Sequence, residues 1–180
     1  MSIERANSVA GWMMESELSY LAKLAEGSDL IAEVGSWMGR STCALAENTS
    51  GMVFAVDTWQ GSEEHAGMLE GKPEGWLFSE FRRNTSGLPI MPVPMRSLDA
   101  AFLFSKTRLK FDLIFIDANH SYESVRADIL AWVPLLSPKG IICGHDCDKV
   151  YWAGIVRAVE ECIPRYRIIE GTTIWSTEGE

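Results

Sequence analysis

The sequence is poor in the features that would tie it to a membrane, a disulfide scaffold or a nucleic acid. No apolar run approaches the roughly 18 residues that a bilayer span requires, and Glu4 and Arg5, ahead of Ala6, Asn7 and Ser8, leave no room for a signal-peptide core. A cytoplasmic location is therefore expected. The four cysteines, Cys43, Cys143, Cys147 and Cys162, form no CxxC pair, which argues against a zinc ribbon and a disulfide framework. Cys43, Cys143 and Cys162 are expected as core thiols, whereas Cys147 lies among polar residues taken up below. Basic residues are outnumbered, 16 against 25 acidic ones, for a net charge of −9. That balance opposes attraction to a phosphate backbone, so no nucleic-acid partner is expected. There is also no Pro/Gly/Ser tract long enough to link two domains. With 180 residues and 47% hydrophobic content, the chain is expected to form a single domain over 1–180.

What is present is a glycine loop. The stretch EVGSWMGRS, residues 33–41, lies between an apolar strand candidate at 30–34 and a helix candidate at 41–47. Gly35 and Gly39 allow a sharp turn and a close backbone approach to a ligand. A second strand candidate, 53–56, ends at Asp57, 22 positions beyond Gly35 (57 − 35). About that spacing brings a carboxylate to the ribose hydroxyls of a bound nucleotide.

The remaining pattern alternates. Residues 16–27 read as a helix, with Ser16 as N-cap, Leu18, Leu21, Leu24 and Ala25 on one face, and Gly27 as the stop. Residues 58–88 hold many turn formers and little periodicity, apart from a helix candidate at 76–84, and are expected to form a lid or substrate segment. A third strand at 90–95 and a helix at 98–105 follow. The nearly unbroken apolar run at 111–117 predicts a parallel strand buried on both faces. Ser121 caps a helix whose Val125, Ile129, Trp132, Val133 and Leu136 recur at helical spacing until Ser137-Pro-Lys-Gly140 ends it. A strand at 141–143, a helix at 154–162 and a hairpin pairing 166–169 with 172–175 complete the chain. The expected fold is α/β: a doubly wound, Rossmann-like, mostly parallel seven-stranded sheet with an antiparallel C-terminal hairpin.

In such sheets ligands bind beyond the carboxyl ends of the strands. Those ends carry Glu33 and Gly35, then Asp57, then Arg96 and Ser97, then Asp117 with Asn119 and His120, and finally His145 and Asp146. Glu123 and Asp128 on the helix after Ser121, and Arg82 and Arg83, read as solvated surface charge. Seven tryptophans suggest a partly apolar pocket or a homo-oligomer surface.

Taken together, EVGSWMGRST, AVDTW, FDLIFIDANHSYESVRADI and SPKGIICGHD followed by GIVRAVEE resemble the class I S-adenosylmethionine-dependent methyltransferases. The resemblance is greatest to the small branch of antibiotic and sugar O-methyltransferases, and it runs over roughly residues 16–176. It implies a S-adenosylmethionine site made by Glu33, Gly35, Ser36, Gly39, Ser41, Asp57 and Thr58, with Asp57 accepting from both ribose hydroxyls. It also implies that Ser97 and Leu98 lie near the adenine and Asp117 beside the transferred methyl. In catechol O-methyltransferase-like enzymes that aspartate binds a divalent ion, and a basic residue three positions later, here His120, deprotonates the acceptor. The pair after strand five resembles the tandem aspartates of sugar O-methyltransferases, with His145 in the first place. Asp117, His145 and Asp146 are thereby implied as ligands of Mg²⁺ or a borderline transition metal. Asp117, His120 and His145 are the candidate catalytic residues, either histidine serving as base.

The acceptor implied is a hydroxyl of a small molecule or sugar. A nicotinamide-dependent oxidoreductase is the alternative, since Asp57 suits an NAD ribose as well. Against it, the loop lacks GxGxxG and no Tyr-xxx-Lys pair occurs. A non-catalytic cofactor-binding module is the third reading.

Overall fold

The computed structural model describes residues 1–62 and 65–177. Its elements run α1 (Glu4–Ser8), α2 (Glu15–Ala25), β1 (Leu30–Val34), α3 (Arg40–Ala46), β2 (Met52–Asp57), α4 (Ala66–Leu69) and α5 (Trp76–Asn84). They continue with β3 (Ile90–Pro94), α6 (Ser97–Ser105), β4 (Phe111–Ile116), α7 (Tyr122–Trp132), β5 (Leu136–Gly144), α8 (Ala153–Cys162), β6 (Arg167–Ile168) and β7 (Trp175–Ser176). Among the described residues no helix is long and apolar enough to cross a membrane.

Seven strands form one sheet in the order β3-β2-β1-β4-β5-β7-β6. β1 to β5 are mutually parallel, whereas β7 runs antiparallel to both β5 and β6. The expected hairpin is thus present, with its second strand next to β5. The chain winds outward from β1 in one direction through β2 and β3, then crosses back to β4 and on to β5. The carboxyl ends of β1 and β4 therefore flank the switch point, where loops diverge and leave a crevice.

The two-residue alternation of β4 shows why both faces must be covered. Leu113 and Phe115 join Leu18, Leu21, Ile31, Leu45 and Val53 beneath α1 to α3. Ile114 and Ile116 point the other way, into a core with Ala100, Phe104, Ile129, Trp132 and Val159 from α6, α7 and α8. A smaller cluster of Ala55, Trp59, Leu77 and Phe81 packs the segment after β2 against the sheet. The region expected as a lid is therefore anchored by α5, on which Phe81 is fully buried.

Three local expectations need correction. α2 starts at Glu15 with Met14, not Ser16, at its N-cap, because Glu17 at N3 reaches back to accept the Met14 N–H (2.8 Å), the carboxylate half of a capping box. The helix with Ser121 at its N-cap ends at Trp132. Val133 lies in a 3₁₀ turn over Val133–Leu135 that contains Pro134, and Leu136 already belongs to β5. Ser137 to Gly140 form an irregularity in that strand, where pairing jumps from Phe111↔Leu136 to Leu113↔Ile141. Cys162, finally, is only partly buried, unlike Cys43 and Cys143, because it sits at the last turn of α8.

Candidate active site

The loop after β1 is shaped by contacts that only glycine permits. Gly35 has φ 92°, and a Cβ there would lie 2.0 Å from the carbonyl oxygen of Asp117, so β1 and β4 touch at their ends. Gly39, at φ 90°, would meet Thr85 Cγ2 at 2.7 Å, which lets α5 close on the loop. Between them Trp37 also takes a left-handed conformation, φ 46°. That backbone is held by Asp57: Oδ2 accepts the N–H groups of Ser36 (3.0 Å) and Trp37 (2.9 Å), and Oδ1 that of Trp59 (2.7 Å). An ionised carboxylate offers about four acceptor positions, so roughly one remains for a ligand hydroxyl.

Behind the loop lies Glu33, fully buried. Its Oε2 accepts from Ser36 Oγ (2.7 Å) and from Thr42 Oγ1, while Oε1 makes no well-aligned hydrogen bond among the described residues. Burial pushes this carboxyl up to about 7, against the opposing hydroxyls of Ser41, Thr42 and Ser36. Ser41 is buried and Thr58 half-buried at the start of the segment after Asp57.

Ser97 opens α6, with Arg96 at the cap position. Its hydroxyl donates to Asp128 Oδ1 (2.5 Å) and accepts from Trp132 Nε1 (2.9 Å), while Leu98 is exposed. Asp128 is therefore not solvated surface charge. It is 5% exposed, and burial pushes its carboxyl up to about 6 despite the Ser97 hydroxyl. Glu123, Arg82 and Arg83 are exposed as expected.

Across the switch point the ends of β4 and β5 bring Asp117, His120, His145 and Asp146 together. Asp146 Oδ2 lies 3.2 Å from His120 Nε2 and 3.2 Å from His145 Nδ1, and Asp117 Oδ1 lies 4.0 and 3.7 Å from the same two nitrogens. Trp152 packs on the His120 ring, centroids 4.5 Å apart. Asp146 occupies a left-handed turn, φ 57°. Asp117, His120 and Asp146 each offer one ligand atom within 4.8 Å of the others. Two carboxylates and an imidazole suit a divalent ion. His145, expected in this set, is turned partly away: its Nε2 lies 2.9 Å from Glu17 Oε2, an ion-pair approach rather than an aligned hydrogen bond.

Glu17 is the residue that sequence reasoning missed. It is 1% exposed, and its Oε1 accepts from both the backbone N–H and the hydroxyl of Thr173, each at 3.0 Å. Burial alone would raise its carboxyl, yet His145 and the N–H groups of Thr173 and Met14 hold it well below the usual range. For His145, burial opposes the charge, but Asp146, Glu17 and Asp117 outweigh it and hold the imidazole well above its ordinary value. A capping-box glutamate at helical position N3 was the one available signal, and it does not say which way the side chain turns.

A methyltransferase-domain family model (Methyltransf_24) matches residues 32–147. A protein of Sinorhizobium fredii, uncharacterized protein y4gI, is 29% identical over 170 residues. That match covers 82% of this chain but only 17% of the relative, so the chain spans about a sixth of its length. Among solved structures, an O-methyltransferase from Bacillus cereus in complex with SAH superposes with TM-score 0.65 at 21% identity, over 97% of this chain and 86% of that one. The calicheamicin methyltransferase CalS11 gives 0.65 at 16% identity, over 88% and 76%. These likenesses bear out the fold, and nothing among them favours the oxidoreductase alternative. With the family match reaching from the core of β1 to the turn that carries Asp146, the chain belongs to the methyltransferase-domain family.

Proposed function

We propose that the protein transfers a methyl group from S-adenosylmethionine to a hydroxyl of a small molecule, a sugar among the candidates. The observation that carries this reading is the placement of Asp117, His120 and Asp146 directly across the switch point from the Gly35–Gly39 loop and Asp57. CalS11 is described as a TDP-rhamnose 3′-O-methyltransferase, and a sugar enters this reading through that fold likeness alone.

S-adenosylmethionine supplies an already activated methyl, so the protein has only to align the acceptor and take up its proton. In this reading Gly35, Ser36, Gly39 and Ser41 hold the methionine end, with Glu33 behind the loop fixing Ser36 rather than touching the cofactor, Asp57 and Thr58 hold the ribose, and Ser97 and Leu98 flank the adenine. His120 is the base. Its imidazole is held by Asp146 and Trp152 and stands at the carboxyl end of β4. Both nitrogens of His145 face carboxylates, so His145 fixes Asp146 rather than accepting the proton. Asp117, His120 and Asp146 are also the residues that would hold a divalent ion; with its imidazole bound to the ion His120 would no longer take the proton, and the ion would instead lower the acceptor hydroxyl's pKa.

Isothermal titration with S-adenosylhomocysteine and a methyl-transfer screen over hydroxylated sugars and phenols test the proposal. Binding together with transfer to at least one hydroxyl is expected, and no binding at all would end it. Activity lost on chelation and restored by Mg²⁺ or Mn²⁺ is the expected sign of metal assistance; an undiminished rate after chelation leaves proton removal to His120 alone.

A further inference from the structure

We propose that Glu17 is a positioning residue for methyl transfer: together with Thr173 it fixes the turn carrying His145 and Asp146, so that Asp146 presents His120 to the acceptor. The inference rests on His120 acting as the base. Glu17 lies ahead of the segment matched by the family model.

A lone carboxylate buried to this degree is destabilising unless its charge is matched. α2 does not need that charge to pack, because Leu18, Leu21, Leu24 and Ala25 already join its core. Nor does N-terminal capping need burial, since a glutamate at N3 can reach back to the cap N–H from the surface. Here the side chain turns inward and serves four partners at once: the Met14 N–H, the Thr173 N–H and hydroxyl, and His145 Nε2.

Those partners lead to the reacting groups. Thr173 Oγ1 accepts the Asp146 N–H (3.3 Å), and the Thr173 carbonyl accepts the Cys147 N–H (2.9 Å). The left-handed Asp146 is thus pinned on both sides by one threonine, which Glu17 itself orients. A non-glycine residue at φ 57° persists only where its surroundings over-determine it. On the side-chain path, Glu17 at Nε2 directs His145 Nδ1 toward Asp146 Oδ2, the same oxygen that faces His120. Backbone and side-chain routes therefore run from Glu17 and end on the same carboxylate.

The test compares Glu17→Gln, which keeps the volume but loses the charge, with Thr173→Val, which removes the hydroxyl on the backbone route. Expected for Glu17→Gln are a kcat lowered at least about 10-fold, a part of the roughly 10²- to 10⁴-fold attributed to proton transfer, an S-adenosylhomocysteine Kd changed less than about 3-fold, and a cooperative thermal transition. Thr173→Val is expected to lower kcat less. In a double-mutant cycle, Glu17→Gln in a His145→Gln background should cost little more, as residues on one path couple. An unchanged kcat in Glu17→Gln, or fully additive losses, would overturn the proposal.

A readout independent of turnover separates this inference from the functional reading. In long-range ¹H–¹⁵N spectra of the imidazoles, Glu17→Gln should shift the His120 signals as well as those of His145. If wild-type protein transfers no methyl, the functional reading fails while these shifts still report the positioning. His120 signals that stay in place show that the path ends at His145 and refute it. Should Glu17→Gln not fold, the same shift in Thr173→Val decides.

Discussion

The two halves of the site are built differently. On the β1–β2 side, backbone geometry does the shaping: two glycines at positive φ, an intervening Trp37, and one carboxylate, Asp57, collecting three N–H groups. On the β4–β5 side the shaping is by charged side chains, with Asp117, His120, Asp146, His145 and Glu17 each within 4.0 Å of another. A backbone cradle tolerates side-chain change but not a Cβ in the wrong place. A side-chain cluster tolerates backbone neighbours but not the loss of a charge partner.

Changes on each side should separate these dependences. The largest expected effect is His120→Ala, with kcat lowered about 10²- to 10⁴-fold as for loss of a general base while the S-adenosylhomocysteine Kd hardly moves; a fully active variant removes His120 from the mechanism. Gly35→Ala acts the other way. With the Asp117 carbonyl 2.0 Å from the new Cβ and φ at 92°, it should cost about 3 kcal/mol in urea unfolding and abolish cofactor binding. Unaltered stability would mean that the loop is free to move off β4.

Asp128→Asn probes a buried carboxyl on α7 that meets the start of α6. The folded state favours the neutral Asp128, its pKa raised from 3.8 to about 6. Wild type and variant should therefore keep a constant stability difference below about pH 4, while wild type loses ground as the pH rises through 6. The variant should gain about 3 kcal/mol by pH 7, at roughly 1.4 kcal/mol per pKa unit. Unfolding curves that stay parallel from pH 4 to 7 would contradict the burial of charge. The smallest effect belongs to Cys162→Ser, which lies outside both halves and should change stability by less than about 0.5 kcal/mol.

How far each half could be read beforehand follows the same division. The glycine spacing, the acid 22 positions on (57 − 35) and the apolar β4 run are local patterns, and each reappears at its expected strand end. Asp128 was misread because a charged residue on an amphipathic helix is normally solvated. Only the Ser97 hydroxyl at the start of α6, 31 residues away, gives it a reason to be inside. Similarly, Ser137 to Gly140 look like a helix stop and loop, yet pairing with β4 draws them into β5 as an irregular strand. Glu17 meets Thr173 across 156 residues, a distance over which no periodicity carries information.

The order of the strands and of the longer helices, the charge balance, the glycine loop and the polar residues at successive strand ends were determined by the sequence, because each depends on residue type and near-neighbour spacing; the short α1 and α4 were not. The direction in which side chains turn was decided by the tertiary structure. Whether His145 faces a metal set or a buried glutamate, and whether Asp128 meets water or a serine, depends on which segments the sheet brings together. The free energy of a buried charge is set by partners distant in the chain.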